Sequence, residues 1–224
     1  MLSYCDGEQC FLIDEKDVSV MPRDKTESHI RIVEAAKKEF LKYGFTDASL
    51  RRIASEAKIQ VSGLYKHFSS KEDMFESLVK PVVEGFYDLY SRIEGEYFGD
   101  IERVVKAHDW EGMGETVRAM EYMYDHLDEF VLIVMKSQGT KYEDFTHEIA
   151  ELEEEVTLRY MDQLKKAGFP VKDFDRNEFH LLVTAFVDAL FLPLSHGFTK
   201  EEALHYTRTL EEFYEPAWKA WFGI

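Results

Sequence analysis

Gln60, Val61, Ser62 and Gly63 stand in a row at the start of one short predicted helix, and Ser49, Arg51, Arg52 and Ser55 lie on the free side of the helix before it. These residue types suit contact with duplex DNA. A glutamine amide bonds adenine through two hydrogen bonds, a valine methyl meets the methyl of thymine, and a serine hydroxyl bonds several bases. Gly63 permits close approach. Arginine and serine on an open helix face are of the sort that contact phosphates. Bond-making chemistry finds no comparable constellation. No phosphate loop, His-Glu-x-x-His zinc motif or Gly-x-Ser-x-Gly elbow occurs, and the eight histidines show no ligand spacing with cysteine or carboxylate. His108-Asp109 and Ser195-His196 are adjacent in sequence, which on a helix points them apart. Cys5 and Cys10 form a Cys-x4-Cys without further ligands nearby, so no metal, no cofactor and no enzyme activity are expected.

Two short elements must position these residues. Leu50, Ile53, Ala54 and Ala57 recur at helical spacing and predict a helix over 49–57 with one face turned inward. Lys58-Ile59-Gln60 reads as a turn. A second helix is predicted over 61–68, where Leu64 and Phe68 form an inward i, i+4 pair and Val61, Ser62, Gly63, Tyr65, Lys66 and His67 face outward or sit at the rim. Two short helices joined by a tight turn suggest a helix-turn-helix, the unit that lays its second helix in the major groove.

The run Ile32-Val33-Glu34-Ala35-Ala36, then Phe40, Tyr43-Gly44-Phe45, Ser49-Leu50-Arg51-Arg52-Ile53-Ala54, Gly63-Leu64-Tyr65-Lys66-His67-Phe68, Ser70-Lys71-Glu72 and Phe75 resembles the DNA-binding domain of TetR-family transcriptional regulators. The resemblance covers roughly a quarter of the chain, and its ordered combination is more specific than any single piece. It implies an all-α fold: an N-terminal three-helix helix-turn-helix domain followed by a larger helical ligand-binding and dimerisation domain. By the same resemblance Tyr65, His67 and Lys71 match phosphate-contacting positions, and Ser49 and Arg51 sit where the first short helix meets the groove; Lys66 joins the outward set. The turn departs from the family pattern, which usually carries Gly, a small apolar residue and Ser where this chain has Lys58, Ile59 and Gln60. Gln60 is also a poorer N-cap than Ser.

Charge and pattern organise the remainder. Residues 21–80 hold twelve Lys/Arg and nine Asp/Glu, a balance of +3, whereas the other 164 residues balance at −20 within the overall −17. A positive head on a negative body orients as well as binds a polyanion. Residues 1–22 read as a flexible acidic extension without the layout of a secretory signal, with Met21 a natural start, and the lack of cysteine in the body fits a reducing cytoplasm. No uninterrupted apolar run reaches membrane-spanning length, so no membrane partner is expected. The domain boundaries expected are 23–80 for the DNA-binding domain and 81–224 for the ligand-binding and dimerisation domain.

The first head helix should start near Thr26 or Ser28, stop at Gly44, and bury Ile30, Val33, Ala36, Phe40 and Leu41. Ser69 or Ser70 should cap the next, which continues through Pro81. Further helices are expected over 101–108, 113–126, 127–137, 144–166, 175–194 and 199–221. Phe86, Tyr90, Trp110, Met113, Tyr122, Met123 and Phe130 are candidate lining of a small-molecule effector pocket, with Glu121 as a carboxylate that, beside aromatic faces, would favour a cation. Phe179, Val183, Phe186, Leu190, Leu210, Tyr214 and Trp218 exceed one inward stripe and are candidate homodimer contacts in a four-helix bundle. The expected function is a ligand-responsive regulator, a repressor by resemblance, that binds a palindromic operator in double-stranded DNA as a dimer. The alternative is a helical ligand-binding or protein-interaction module without specific DNA binding.

Overall fold

The computed structural model describes residues 5–6, 9–10, 25–107 and 114–224, with side chains from residue 26 onward. A two-residue antiparallel ladder pairs β1 (Cys5–Asp6) with β2 (Gln9–Cys10). All other regular structure among the described residues is helical. The expectations for Trp110, Met113 and most of the acidic extension fall outside the described residues.

The head is built from α1 (Lys25–Asp47), α2 (Leu50–Glu56) and α3 (Val61–Leu64). Within α1 the backbone breaks at Gly44 (φ 74°, ψ 170°), a conformation that costs a β-carbon-bearing residue more than glycine, so the straight helix ends where the sequence predicted. Its buried stripe differs from the expected one. Ile32, Ala35, Ala36 and Phe40 face inward, while Ile30 is 52% exposed and Val33 and Leu41 are only partly covered. The face is set by Phe40, which stacks with Phe45 and meets Phe75 edge-on, and the helical period then selects Ile32 and Ala36 rather than Ile30.

The body begins within α4 (Lys71–Gly99), which runs without a break past Pro81 and through the boundary expected at residue 80. Ser70 caps it by accepting from the Asp73 N–H, and Asp73 accepts in return from the Ser69 N–H and hydroxyl. There follow α5 (Ile101–Ala107), α6 (Glu115–Asp125), α7 (Leu127–Lys136), α8 (Phe145–Lys166), α9 (Arg176–His196) and α10 (Lys200–Phe222). Asp175 caps α9, and Thr199 with Glu202 forms a reciprocal capping box on α10. By length and composition α9 is apolar enough to cross a membrane, but it packs its inner face against α8, α7 and α10 as a core helix does. Head and body share one continuous apolar core.

Candidate nucleic-acid interface and ligand cavity

The reading head is assembled by a carboxylate that the sequence left unassigned. Glu39 on α1 is buried, and its Oε1 accepts from the Ser49 N–H (2.8 Å) and from Arg52 Nε (2.7 Å). It thereby satisfies an orphan donor at the start of α2 that the Ser49 side chain does not reach. Burial alone would raise the Glu39 carboxyl, but the Arg52 guanidinium and the Ser49 N–H outweigh it and hold the group below the usual carboxylate range. Arg52 also donates to the Asp47 carbonyl and lies 4.2 Å over the Tyr43 ring. This corrects the expectation that Arg52 is free for phosphate: three partners already hold it. Arg51, next to it, is exposed and carries no ion pair among the described residues.

The turn keeps a glycine-like shape without glycine. Lys58 has φ 56°, its N–H bonds the Ser55 carbonyl, and the Ile59 N–H bonds the Ala54 carbonyl at 2.9 Å. That pair of bonds is a Schellman motif with Lys58 in the left-handed position. After the turn α3 is shorter than expected. Only Val61–Leu64 is helical, and Tyr65, Lys66 and His67 continue as turns closed by Lys66 N–H to Gly63 and His67 N–H to Leu64. The reason is anchoring at both ends: Leu64 and Phe68 are buried, and His29 of α1 stacks on Phe68 at 5.1 Å and meets His67 at 5.6 Å.

The residues expected to read DNA share one open surface. Gln60, Ser62, Tyr65 and Lys66 are exposed, Tyr65 at 55%, while Val61, Gly63 and His67 are half-buried at its edge. Gly63 has room for a β-carbon, whose nearest neighbour would be Ile59 at 3.5 Å, an ordinary contact. The protein's own packing therefore does not demand glycine there. Lys71 departs from expectation in part. Its ammonium donates to the carbonyls of Phe45 (2.8 Å) and Thr46 (3.2 Å) and lies 4.5 Å over the Phe45 ring, which leaves one of its three donors for a phosphate.

The head is tied to the body mainly through α1 and α7. Lys37 bridges Asp128 (2.9 Å) and Glu129 (2.8 Å), and Thr46 donates to the Gln138 carbonyl. Lys141 pairs with Glu76 of α4 at 2.7 Å.

A cavity of about 120 Å³ lies in the body between α4, α6, α8, α9 and α10. Of the expected lining, Phe86 and Tyr90 are present. Met123 and Phe130 are fully buried core residues instead, because Phe130 fills the space between Phe86 and Phe145. Tyr122 is a wedge rather than a ligand contact: its hydroxyl donates to the Val82 carbonyl at 3.0 Å and covers Gly85 of α4. Glu121 is exposed and absent from the lining. Three other carboxylates do line the cavity: Glu94, Glu115 and Glu153. Glu153 is half-buried in the cavity lining and accepts from the Tyr90 hydroxyl at 2.6 Å. Desolvation, with the Glu115 charge adding to it, pushes its carboxyl above the usual range against the pull of the Tyr90 and Thr157 hydrogen bonds. Desolvation likewise raises Tyr90 and takes Tyr160 to about 12. No sequence signal separated Glu153 from the other acids of the helix expected over 144–166.

The expected dimer residues need the largest correction. Phe179, Val183, Phe186, Leu190 and Leu210 are buried inside the protomer, and Tyr214 and Trp218 are half-buried through contacts with Phe186. Spare apolar surface on these helices lies on the opposite side, at Leu181 (67% exposed), Leu182, Leu192 and Phe213 (75% exposed). The two terminal helices are thus apolar on two faces, and the larger residues went to the inner one.

Residues 32–78 match the family model of bacterial regulatory proteins of the tetR family. Two HTH-type transcriptional regulators of Staphylococcus aureus are 33% and 32% identical over 82 residues, 37% of this chain and 44% of each relative. The chain thus spans less than half the length of these curated relatives. In fold, the chain is similar to NalD, the secondary repressor of the MexAB-OprM multidrug efflux pump in Pseudomonas aeruginosa (TM-score 0.56, 16% identity, 84% of this chain and 97% of that one). It is also similar to the transcriptional regulator FadR from Bacillus subtilis, solved with stearoyl-CoA (TM-score 0.51, 11% identity, 82% and 96%). Residues 32–78 thus carry a tetR-type head in sequence, and over most of its length the chain shares the all-helical fold of these solved structures.

Proposed function

We propose that the protein is a DNA-binding transcriptional repressor that works as a homodimer in the cytoplasm, reads a palindromic operator, and releases it when a small molecule occupies the cavity. The observation that carries this reading is the open surface of Gln60, Ser62, Tyr65 and Lys66, held by a buried scaffold within residues 21–80, which balance at +3 in an acidic chain. Gln60, Val61 and Ser62 face the bases, with Tyr65, Lys66, His67, Arg51, Ser49 and the remaining donor of Lys71 on phosphates. Two heads in successive major grooves place the half-sites about 34–36 Å apart, or a multiple of that.

The dimer contact is the outer face of α9 and α10 around Leu181, Leu192 and Phe213, two helices from each protomer forming a four-helix bundle. The cavity borders α4, which carries the head, so a ligand that fits better when α4 is displaced changes the spacing of the two heads. Regulation requires that differential affinity and nothing else.

Selection of duplexes from a random pool tests the reading, with wild type and Tyr65→Ala compared at one salt concentration. A palindrome enriched by wild type and weakened by the substitution is the expected result. No enrichment at low salt leaves the chain as a helical ligand-binding module.

A further inference from the structure

The cavity has a polarity of its own. Every charged side chain that lines it among the described residues is a carboxylate, and no Lys, Arg or His does so. Glu94 is neutralised from outside by Arg159, but Glu153 meets only hydroxyl donors, those of Tyr90 and Thr157. A desolvated carboxylate without a cationic partner is costly and usually stays protonated unless a cation arrives. The neighbouring wall is aromatic. Tyr160 is 4% exposed and makes edge contacts with Tyr97, Phe98 and Phe222, and Phe222 stacks on Trp218. Moreover, the Tyr160 hydroxyl is buried in this wall with no hydrogen-bond partner. An unsatisfied buried hydroxyl costs stability unless something fills the space beside it.

From these features we propose that the cavity is a receptor for a lipophilic organic monocation, an alkyl or aryl ammonium, seated between the Glu153 carboxylate and the Tyr160 ring cluster. Ring faces carry negative potential and attract a weakly hydrated cation, and desolvation strengthens both that attraction and the pairing with the carboxylate. The same lining repels a fatty-acid carboxylate. The inference rests on the reading of the cavity as the effector site and names the chemistry of that effector.

The test is calorimetric titration of the full chain with benzyltrimethylammonium, with its uncharged carbon isostere neopentylbenzene, and with octanoate. The cation is expected to bind at least about tenfold more tightly than the isostere, and octanoate not at all. Glu153→Gln, which keeps shape and an acceptor for Tyr90, should remove most of that preference while leaving the isostere unchanged, with a thermal melt verifying the fold. Equal affinity for cation and isostere, including none for either, overturns the proposal, as does tighter binding of octanoate or an unaltered preference in Glu153→Gln. These titrations need no DNA, so failure of duplex selection would remove the repressor reading and leave this result standing.

Discussion

Two carboxylates, the buried Glu39 and the half-buried Glu153, act on stability in opposite directions, and their environments explain the sign. Glu39 is held below its ordinary pKa of 4.5, so its contribution is present above that pH and is lost as the pH falls through the depressed value. Removing it strips the Ser49 N–H at the start of α2 and the Arg52 guanidinium of their shared acceptor. Glu39→Ala is therefore expected to destabilise the fold by about 1–3 kcal/mol at neutral pH, read by urea unfolding, and by less in acid. Glu153 is raised above 4.5, so the folded chain binds its proton more tightly than the unfolded chain. Stability falls as the pH climbs from 4.5 through the raised value. Glu153→Gln should hence melt at a higher temperature than wild type at pH 8, with the gap closing toward pH 4.5. Lys58 carries a further residue-scale cost, the left-handed backbone of a side chain that clashes there. Lys58→Gly should stabilise the head by up to about 1 kcal/mol, measured by thermal melting.

At the scale of elements, two glycines separate packing from function. Gly63 sits in α3 with room for a methyl group on the protein side. Gly63→Ala should leave the melting temperature equal to wild type or higher, since alanine is the better helix former by about 1 kcal/mol. If duplex binding nevertheless falls, the loss comes from the DNA side of the helix. Gly85 is the reverse case: a β-carbon there would stand 2.2 Å from the Tyr122 hydroxyl, which is confined by Phe86 and Phe130. Gly85→Ala must drive α4 and α6 apart or expel the phenol, so a clear fall in melting temperature is expected. Because α4 links cavity and head, such a variant should also show altered release of DNA by ligand, as a hydrophobic wedge at that contact sets the helix position.

For the whole molecule, the exposed apolar face of α9 and α10 and the distribution of charge make joined demands. Phe213 of α10, like Leu181 and Leu192 of α9, is exposed apolar surface that water penalises. Phe213→Glu should shift sedimentation from dimer to monomer without lowering secondary structure, and operator affinity should fall with it, because one head alone engages half a palindrome. With the residues outside 21–80 balancing at −20, negative charge away from the heads repels DNA, so binding by the proposed dimer should weaken steeply with salt.

The helix-turn-helix, the all-helical class, most helix limits and the open face of Gln60, Ser62, Tyr65 and Lys66 were legible in the sequence, because these follow from local signals: capping residues, glycines, and apolar spacing within one helix. Ser70, Asp175 and Thr199 cap their helices through neighbours three residues away or fewer. Tertiary structure alone decided which face of an ambiguous helix turns inward. Ile32 rather than Ile30, Glu153 rather than Glu121, and Leu181 and Phe213 rather than Phe179 and Leu210 were chosen by what packs opposite. A helix apolar on two sides satisfies its own period in either orientation. Only the rings and carboxylates brought from distant helices distinguish core, cavity and interface.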